Sequence, residues 1–219
     1  MRLAVVALII AAVALSIAVY SRLPASVPIH WNAAGEIDDY APKAIGAFLL
    51  PAIMLALAGV FAALPAISPS GFDIERRSRA YRAILFASLL FMLGLHVYLL
   101  LSAMNVARSI SAVVPLLLGA LFVILGNYLP KMRRNFFIGI RTPWTLADED
   151  VWFRTHRLGG VLFVVSGVLL MVVGPFLHGR AASIFLPALI GLVALFLVIY
   201  SFVIYRRPDA GSDKGEVSP

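Results

Sequence analysis

Six long apolar stretches, none of which contains Asp, Glu, Lys or Arg, constrain this chain more than any other feature. A helix that crosses the ~30 Å hydrocarbon layer of a membrane needs about 20 apolar residues. Lipid offers no partner to backbone N–H and C=O groups, so each stretch is expected to be helical. The sequence therefore predicts an all-α integral membrane protein with six transmembrane helices. The predicted spans are residues 3–20, 44–67, 83–104, 110–129, 159–177 and 183–205.

Composition excludes the other broad classes of protein. With 62% hydrophobic and 13% charged residues, the chain has too little polar surface for a soluble domain and too much apolar surface for disorder. It contains no cysteine, which excludes disulfides, thiolate metal sites and a Cys nucleophile. The net charge of +7 is attributed to basic loops beside the membrane, and no direct contact with nucleic acid is predicted.

The distribution of basic residues predicts the orientation. If the N-terminus is cytoplasmic, fourteen of the 18 Lys and Arg residues fall on the cytoplasmic side. The positive-inside rule therefore places both termini in the cytoplasm. The first apolar stretch is longer than the usual core of a signal peptide, so we interpret it as a retained helix.

The polar segments divide the chain into parts. Residues 1–67 are predicted to form a two-helix unit with an outer loop at 21–43, and residues 83–205 a four-helix unit with an inner loop at 130–158. Residues 206–219 are predicted to be a disordered cytoplasmic tail.

Two features lie within the spans. Gly160, Gly167 and Gly174 recur every seven residues, which places them on one helix face and predicts a packing seam. His96 is an ionisable residue in mid-span. It is either a functional group or a neutral side chain that bonds a neighbouring helix, and the sequence leaves both interpretations open.

The outer loop collects polar and aromatic side chains within a few residues. It is either a proline-stiffened loop on the outer surface or a contact for a peptide or lipid. The spacing of its His and carboxylate residues matches no metal-binding motif, so no metal is predicted. The candidate residues are His30, Trp31, Asn32, Gly35 and Asp38.

The inner loop contains a second polar concentration. Thr145 and Asp148 fit a capping box, which predicts a short helix over about 146–157 that runs at or near the membrane surface into the fifth span. Glu149, Trp152 and His156 would then share one helix face. The segment is either a basic anchor for anionic lipids or a polar network that forms a site. The candidate residues for that network are Asn127, Asn135, Arg141, Thr142, Trp144, Thr145, Glu149, Trp152 and His156.

Two motifs carry a resemblance to a known family. The inner segment GNYLPKMRRNFFIGIRTPWTLADEDVWFRTHR resembles the hallmark of the SdpI-like family of bacterial membrane immunity proteins. The outer segment LPASVPIHWNAAGEIDDYAPK resembles the N-terminal domain of unknown function that is often fused to it. The candidate residues of the two loops, together with Gly139, match positions of these motifs. Glu149 lies in the inner segment but is not one of the matching positions.

The resemblance implies a multi-pass protein of the bacterial plasma membrane that protects its cell against a secreted, membrane-active toxin peptide. It also implies an ArsR-type repressor as a partner at the inner side, and no cofactor. The alternative is a membrane-embedded enzyme or transporter with a polar site at the inner loop. That alternative lacks an obvious nucleophile, because Thr142, Thr145 and His156 have only Glu149 and the adjacent aspartates as orienting carboxylates. No catalytic residue is assigned.

Overall fold

The computed structural model describes residues 2–32, 35–76, 78–106 and 110–207. Six of its helices are long and apolar enough to cross a membrane, as predicted. A seventh helix, α5, has five residues and lies in the inner loop. The predicted tail lies outside the described residues from 208 onward. The helices are α1 Arg2–Val19, α2 Lys43–Ala63, α3 Arg79–Ala103, α4 Ile110–Tyr128, α5 Pro143–Ala147, α6 Glu149–Val173 and α7 Gly179–Tyr205.

The long helices pack in two groups joined by one contact. Helices α1, α2 and α3 pack against one another, with Ala12, Met54 and Leu89 fully buried where they meet. Helices α4 and α6 form the most extensive helix pair, and α7 packs on α6. Helix α3 also packs against α4 and so connects the groups.

Glycines form the contact between α4 and α6, which confirms the predicted packing seam. A Cβ atom on Gly119 would lie 2.5 Å from the carbonyl oxygen of Gly167, and one on Gly167 would lie 2.5 Å from that of Gly119. Gly126 and Gly160 face each other in the same way, one heptad along. Because lipid gives no hydrophobic drive between helices, this close backbone approach supplies the attraction.

The inner loop differs from its prediction. Of the short helix expected over about 146–157, residues 149–157 form the first turns of α6, which runs on into the fifth span as predicted, whereas residues 146 and 147 belong to α5. The predicted capping box of Thr145 and Asp148 is wrong: Thr142 caps α5, with Thr145 as its reciprocal partner, and Asp148 separately caps α6. The apolar pattern placed the start of the fifth span at residue 159 because arginines interrupt it, whereas tertiary packing buries Trp152 and His156 in the first turns of α6.

The outer loop contains a small antiparallel sheet that the sequence analysis did not predict. Strand β1 Ser26–Trp31 pairs with β2 Ile37–Pro42. In a two-stranded sheet both strands are edges, which tolerates the prolines in each. Val27 is fully buried against Gly46 of α2, where a Cβ atom would lie 2.7 Å from the valine side chain. The hairpin is thereby seated on the helices.

Candidate functional site

At the inner end, Trp152 and His156 stack on each other inside the protein. Both side chains are fully buried, and their ring centroids are 3.9 Å apart with an interplanar angle of 21°. The indole N–H of Trp152 donates to the carbonyl of Met132 at 2.9 Å. The first turns of α6 are therefore bonded to the loop that precedes them.

His156 has both ring nitrogens engaged. The backbone N–H of Ile140 donates to Nε2 at 3.0 Å, which makes Nε2 the acceptor and assigns the ring hydrogen to Nδ1. Nδ1 then donates to the carbonyl of Trp152 at 2.8 Å. Gly139 lies directly beneath this ring with φ +118°, and any Cβ atom there would overlap Nε2. Glycine is required at this position for both its backbone angle and its lack of a side chain.

Two threonines connect the loop to α7. The Thr142 backbone N–H donates to Thr145 Oγ1 at 2.8 Å, and Thr145 Oγ1 lies 2.8 Å from the carbonyl of Ile140, to which it donates. Thr142 Oγ1 lies 3.2 Å from Ser201 Oγ on α7. Trp144 adds a ring contact with Phe202, with centroids 4.9 Å apart.

Asn135 organises the turn before this point. Its side chain, 2% exposed, accepts from the backbone N–H groups of Phe137 and Ile138 at 3.0 and 2.7 Å. Its amide donates to the carbonyls of Arg133 and Ile138, each at 3.0 Å. We call the set of Asn135, Gly139, Thr142, Thr145, Trp152 and His156 the inner cluster; its side chains are buried, whereas Gly139, which has no side chain, is exposed.

The hydrogen bonds of the inner cluster hold the inner loop in one conformation, and we call this arrangement the lock. Its hydrogen bonds run mainly to backbone groups of the loop, as buried polar groups require. A nucleophile needs a neighbouring base with a free nitrogen or oxygen, and both nitrogens of His156 are already bonded. The geometry therefore stabilises the loop, with both nitrogens of His156 engaged by backbone groups.

Four of the predicted inner-loop residues lie outside the inner cluster. One is Trp144, described above, and the other three are exposed. Asn127 is exposed and donates to the carbonyl of Val123 in its own helix at 2.7 Å. Glu149 is exposed in the first turn of α6, whereas Trp152 and His156 point inward. Arg141 is exposed and donates through Nη1 to the carbonyl of Phe136 at 2.8 Å.

The outer candidates lie together in the hairpin. His30 Nδ1 is 2.6 Å from Asp38 Oδ1, and the two side chains are 64% and 41% exposed. Asn32 Nδ2 donates to the Glu36 carboxylate at 3.0 Å, and Gly35 occupies the turn with φ +82°. Trp31 extends inward and contacts Tyr98 of α3 with ring centroids 5.5 Å apart.

A cavity of about 310 Å³ lies between the hairpin turn, the first turns of α4 and α7, and the end of α6. Most lining side chains are apolar, with polar groups from Asn32, Ser111 and Ser183. Trp31, Asn32 and Gly35 were predicted site residues, whereas the helical part of this lining was not predicted. The available signal was proline within a span, since Pro115 and Pro187 both line the cavity.

His96 belongs to a separate polar contact in the helix core. Its Nε2 lies 3.0 Å from Ser16 Oγ and 3.1 Å from the carbonyl of Ala12. Ser16 Oγ in turn donates to the carbonyl of Ala47 at 2.6 Å. Of the two interpretations of His96, the structure supports the second, in which its side chain forms hydrogen bonds to a neighbouring helix.

These features define a class: a six-span membrane protein with a locked inner loop and an outer hairpin over a cavity. Residues 131–201 match the family model of the SdpI/YfhL protein family, and residues 7–55 match that of a domain of unknown function (DUF1648). The chain is 27% identical over 196 residues to Immunity protein SdpI of Bacillus subtilis (strain 168), covering 88% of this chain and 89% of that protein. No solved structure matches the chain.

Residues 131–201 therefore carry the SdpI/YfhL family domain, and the similarity to a membrane immunity protein extends well beyond them. The chain is a multi-pass protein of the bacterial plasma membrane, as its six apolar helices and its similarity to a membrane immunity protein indicate.

Proposed function

We propose that this protein protects the cell that carries it against a secreted, membrane-active peptide. The observation that carries the proposal is the similarity to Immunity protein SdpI, which extends over nearly the whole of both chains. A match of this extent includes both the outer hairpin and the inner cluster.

The two ends of the molecule have different proposed roles. With both termini cytoplasmic, the hairpin and its cavity face the outside, where a secreted peptide arrives. The inner end then faces the cytoplasm with exposed basic side chains such as Arg141 and Arg154. Each such charge contributes about 1 kcal/mol of attraction to anionic headgroups. This basic inner end is also where an ArsR-type repressor would be held.

The inner cluster supports protection without catalysis. A lock of buried, internally satisfied groups keeps the inner end in one arrangement, which suits a protein that binds partners at both faces. An enzymatic function would need a group that the described inner loop leaves available to a substrate, and His156 is fully used by backbone bonds.

The proposal is tested in a bacterial host that lacks a relative of this protein. Cells expressing the chain and cells with the empty vector are challenged with secreted and synthetic membrane-active peptides, and membrane potential is measured with a voltage-sensitive dye. We expect the expressing cells to keep their potential under at least one peptide that depolarises the controls. If expressing and control cells are depolarised equally by every secretion of related bacteria and every synthetic peptide, the result contradicts immunity.

A further inference from the structure

We propose that the cavity under the hairpin turn receives a bulky apolar side chain of a cationic peptide, while the acidic hairpin binds the basic side chains of that peptide. The inference rests on the proposed function and names the chemistry of the partner. It also assigns a role to Ser111, Pro115, Ala182 and Pro187, which lie outside both sequence motifs.

The size and lining of the cavity fit a side chain rather than an ion. A volume of about 310 Å³ is at the lower end of the range for small-ligand sites, which are typically apolar with a few polar groups. Leu170, Leu177 and Leu186 contribute to its wall. Asn32, Ser111 and Ser183 supply the polar lining that could meet the backbone of a bound peptide.

The hairpin covers the cavity through a close contact with α4. Gly35 packs so tightly against Ser111 and Ile110 that a side chain at this position would overlap the Ser111 hydroxyl. The turn residues Asn32 and Gly35 and the start of α4 therefore form one continuous wall. A ligand in the cavity touches the hairpin and α4 at the same time.

The charge of the hairpin selects the kind of partner. Glu36, Asp38 and Asp39 are exposed. Within the described part of the chain, no Lys or Arg forms an ion pair with any of the three. The Glu36 carboxylate is bonded to Asn32, which lines the cavity, so negative charge lies at the rim. Such a rim attracts basic side chains and disfavours an anionic lipid headgroup.

The test uses the full-length protein in nanodiscs of phosphatidylcholine with three photoreactive probes. These are an amphipathic Leu/Lys peptide with one photoreactive leucine, the matching Leu/Glu peptide, and a phosphatidylcholine with a photoreactive acyl chain. Labelled residues are located by mass spectrometry. We expect the Leu/Lys peptide to label residues 110–115 and 182–187 more strongly than either of the other probes.

Variants identify the cavity as the site. Ala182 lines it and Ala181, its exposed neighbour, does not. Filling an apolar pocket discriminates by about tenfold or more, so Ala182→Phe should reduce labelling by about tenfold and Ala181→Phe should leave it unchanged. Ser183→Leu is a smaller change that serves if Ala182→Phe does not fold, as judged by its melting temperature in the same nanodiscs.

Charge variants test the rim. The double variant Glu36→Gln and Asp39→Asn should lower labelling by about threefold and weaken its dependence on salt. The same neutralisation at Asp73 and Glu75, at the other end of the bundle, should have no effect. Labelling of the cavity by the lipid probe alone, equal labelling by the Leu/Glu peptide, or no effect of either cavity-filling variant overturns the inference.

Failure of this inference is distinguishable from failure of immunity. If expressing cells are protected but the Leu/Lys peptide does not label the cavity, the inference falls and immunity stands. If the peptide labels the cavity in the expected pattern but cells are not protected, the binding site stands and immunity falls.

Discussion

The imidazole of His156 accepts a hydrogen bond from the backbone N–H of Ile140, 16 residues earlier in the chain, at 3.0 Å. This bond joins the inner loop to the buried first turns of α6. The ring also stacks on Trp152 and lies against Gly139. A single side chain therefore contacts three residues of the inner motif, namely Gly139, Ile140 and Trp152. The lock explains why the loop is structured although it lies between two membrane spans.

We expect His156→Ala to lower the free energy of unfolding by about 2–4 kcal/mol, because it leaves the half-buried N–H of Ile140 without an acceptor and creates a cavity beside Trp152. Gly139→Ala should also destabilise the protein, since its Cβ would overlap the ring. Gly71→Ala is the matched control, with φ +81° and open space around it. Unfolding in detergent, followed by tryptophan fluorescence, measures all three. Equal losses at Gly139 and Gly71 would show that backbone strain, and not the lock, is responsible.

The glycine seam predicts a strong effect of side-chain size between α4 and α6. Gly167→Val would push against the carbonyl of Gly119 and separate the helices, so the amount of folded protein in the membrane should fall sharply. Gly191→Val on α7 is the control, because nothing lies within 4 Å of its added Cβ. Size-exclusion chromatography of detergent-solubilised fusions reports the folded fraction. A normal yield of Gly167→Val would contradict the seam.

Arg141 provides a test of whether its planar guanidinium contributes more than its positive charge. Within the described part of the chain, its guanidinium makes a single donation to the carbonyl of Phe136, which a Lys ammonium can also make. Arg141→Lys should therefore stay within about 0.5 kcal/mol of the parent in unfolding free energy, as surface substitutions usually do. It should also preserve binding to vesicles with anionic lipid. A loss of protection with unchanged stability would instead show that a partner uses the planar guanidinium.

The His30–Asp38 pair is exposed, so its contribution to stability should be small, about 0.2–1 kcal/mol. We nevertheless expect His30→Ala and Asp38→Ala to reduce protection, because both groups lie on the hairpin that faces the proposed peptide. Asp150→Ala removes the comparable exposed pair with Arg154 at the other end of the bundle and should leave protection intact. Protection and membrane abundance are measured in the same cells. If abundance falls with protection, the pair has only a structural role.

The basic asymmetry of the chain predicts its orientation in the membrane. A reporter that is active only outside the cell should work when inserted in the hairpin turn beside Gly35 and remain silent when fused after Arg207. A reporter that is active only in the cytoplasm should give the reverse pattern. External activity at the C-terminal fusion would contradict the placement of both ends in the cytoplasm.

The six spans could be read directly from the sequence, because the hydrocarbon layer demands about 20 consecutive apolar residues and full internal bonding of the backbone. The seam of Gly160, Gly167 and Gly174 was equally accessible, since a period of seven places them on one face of any helix. These are local properties that require no knowledge of neighbouring segments.

Tertiary structure alone decided which polar residues come together. Asn127 and Asn135 appeared equivalent in sequence, yet Asn127 bonds its own helix at the surface while Asn135 is buried and holds a turn. The contact of Thr142 with Ser201 joins residues 59 apart. The cavity likewise needs the hairpin, α4, α6 and α7 in one place. Periodicity describes one segment at a time, whereas the burial of His156 and the shape of the cavity depend on how separate segments pack.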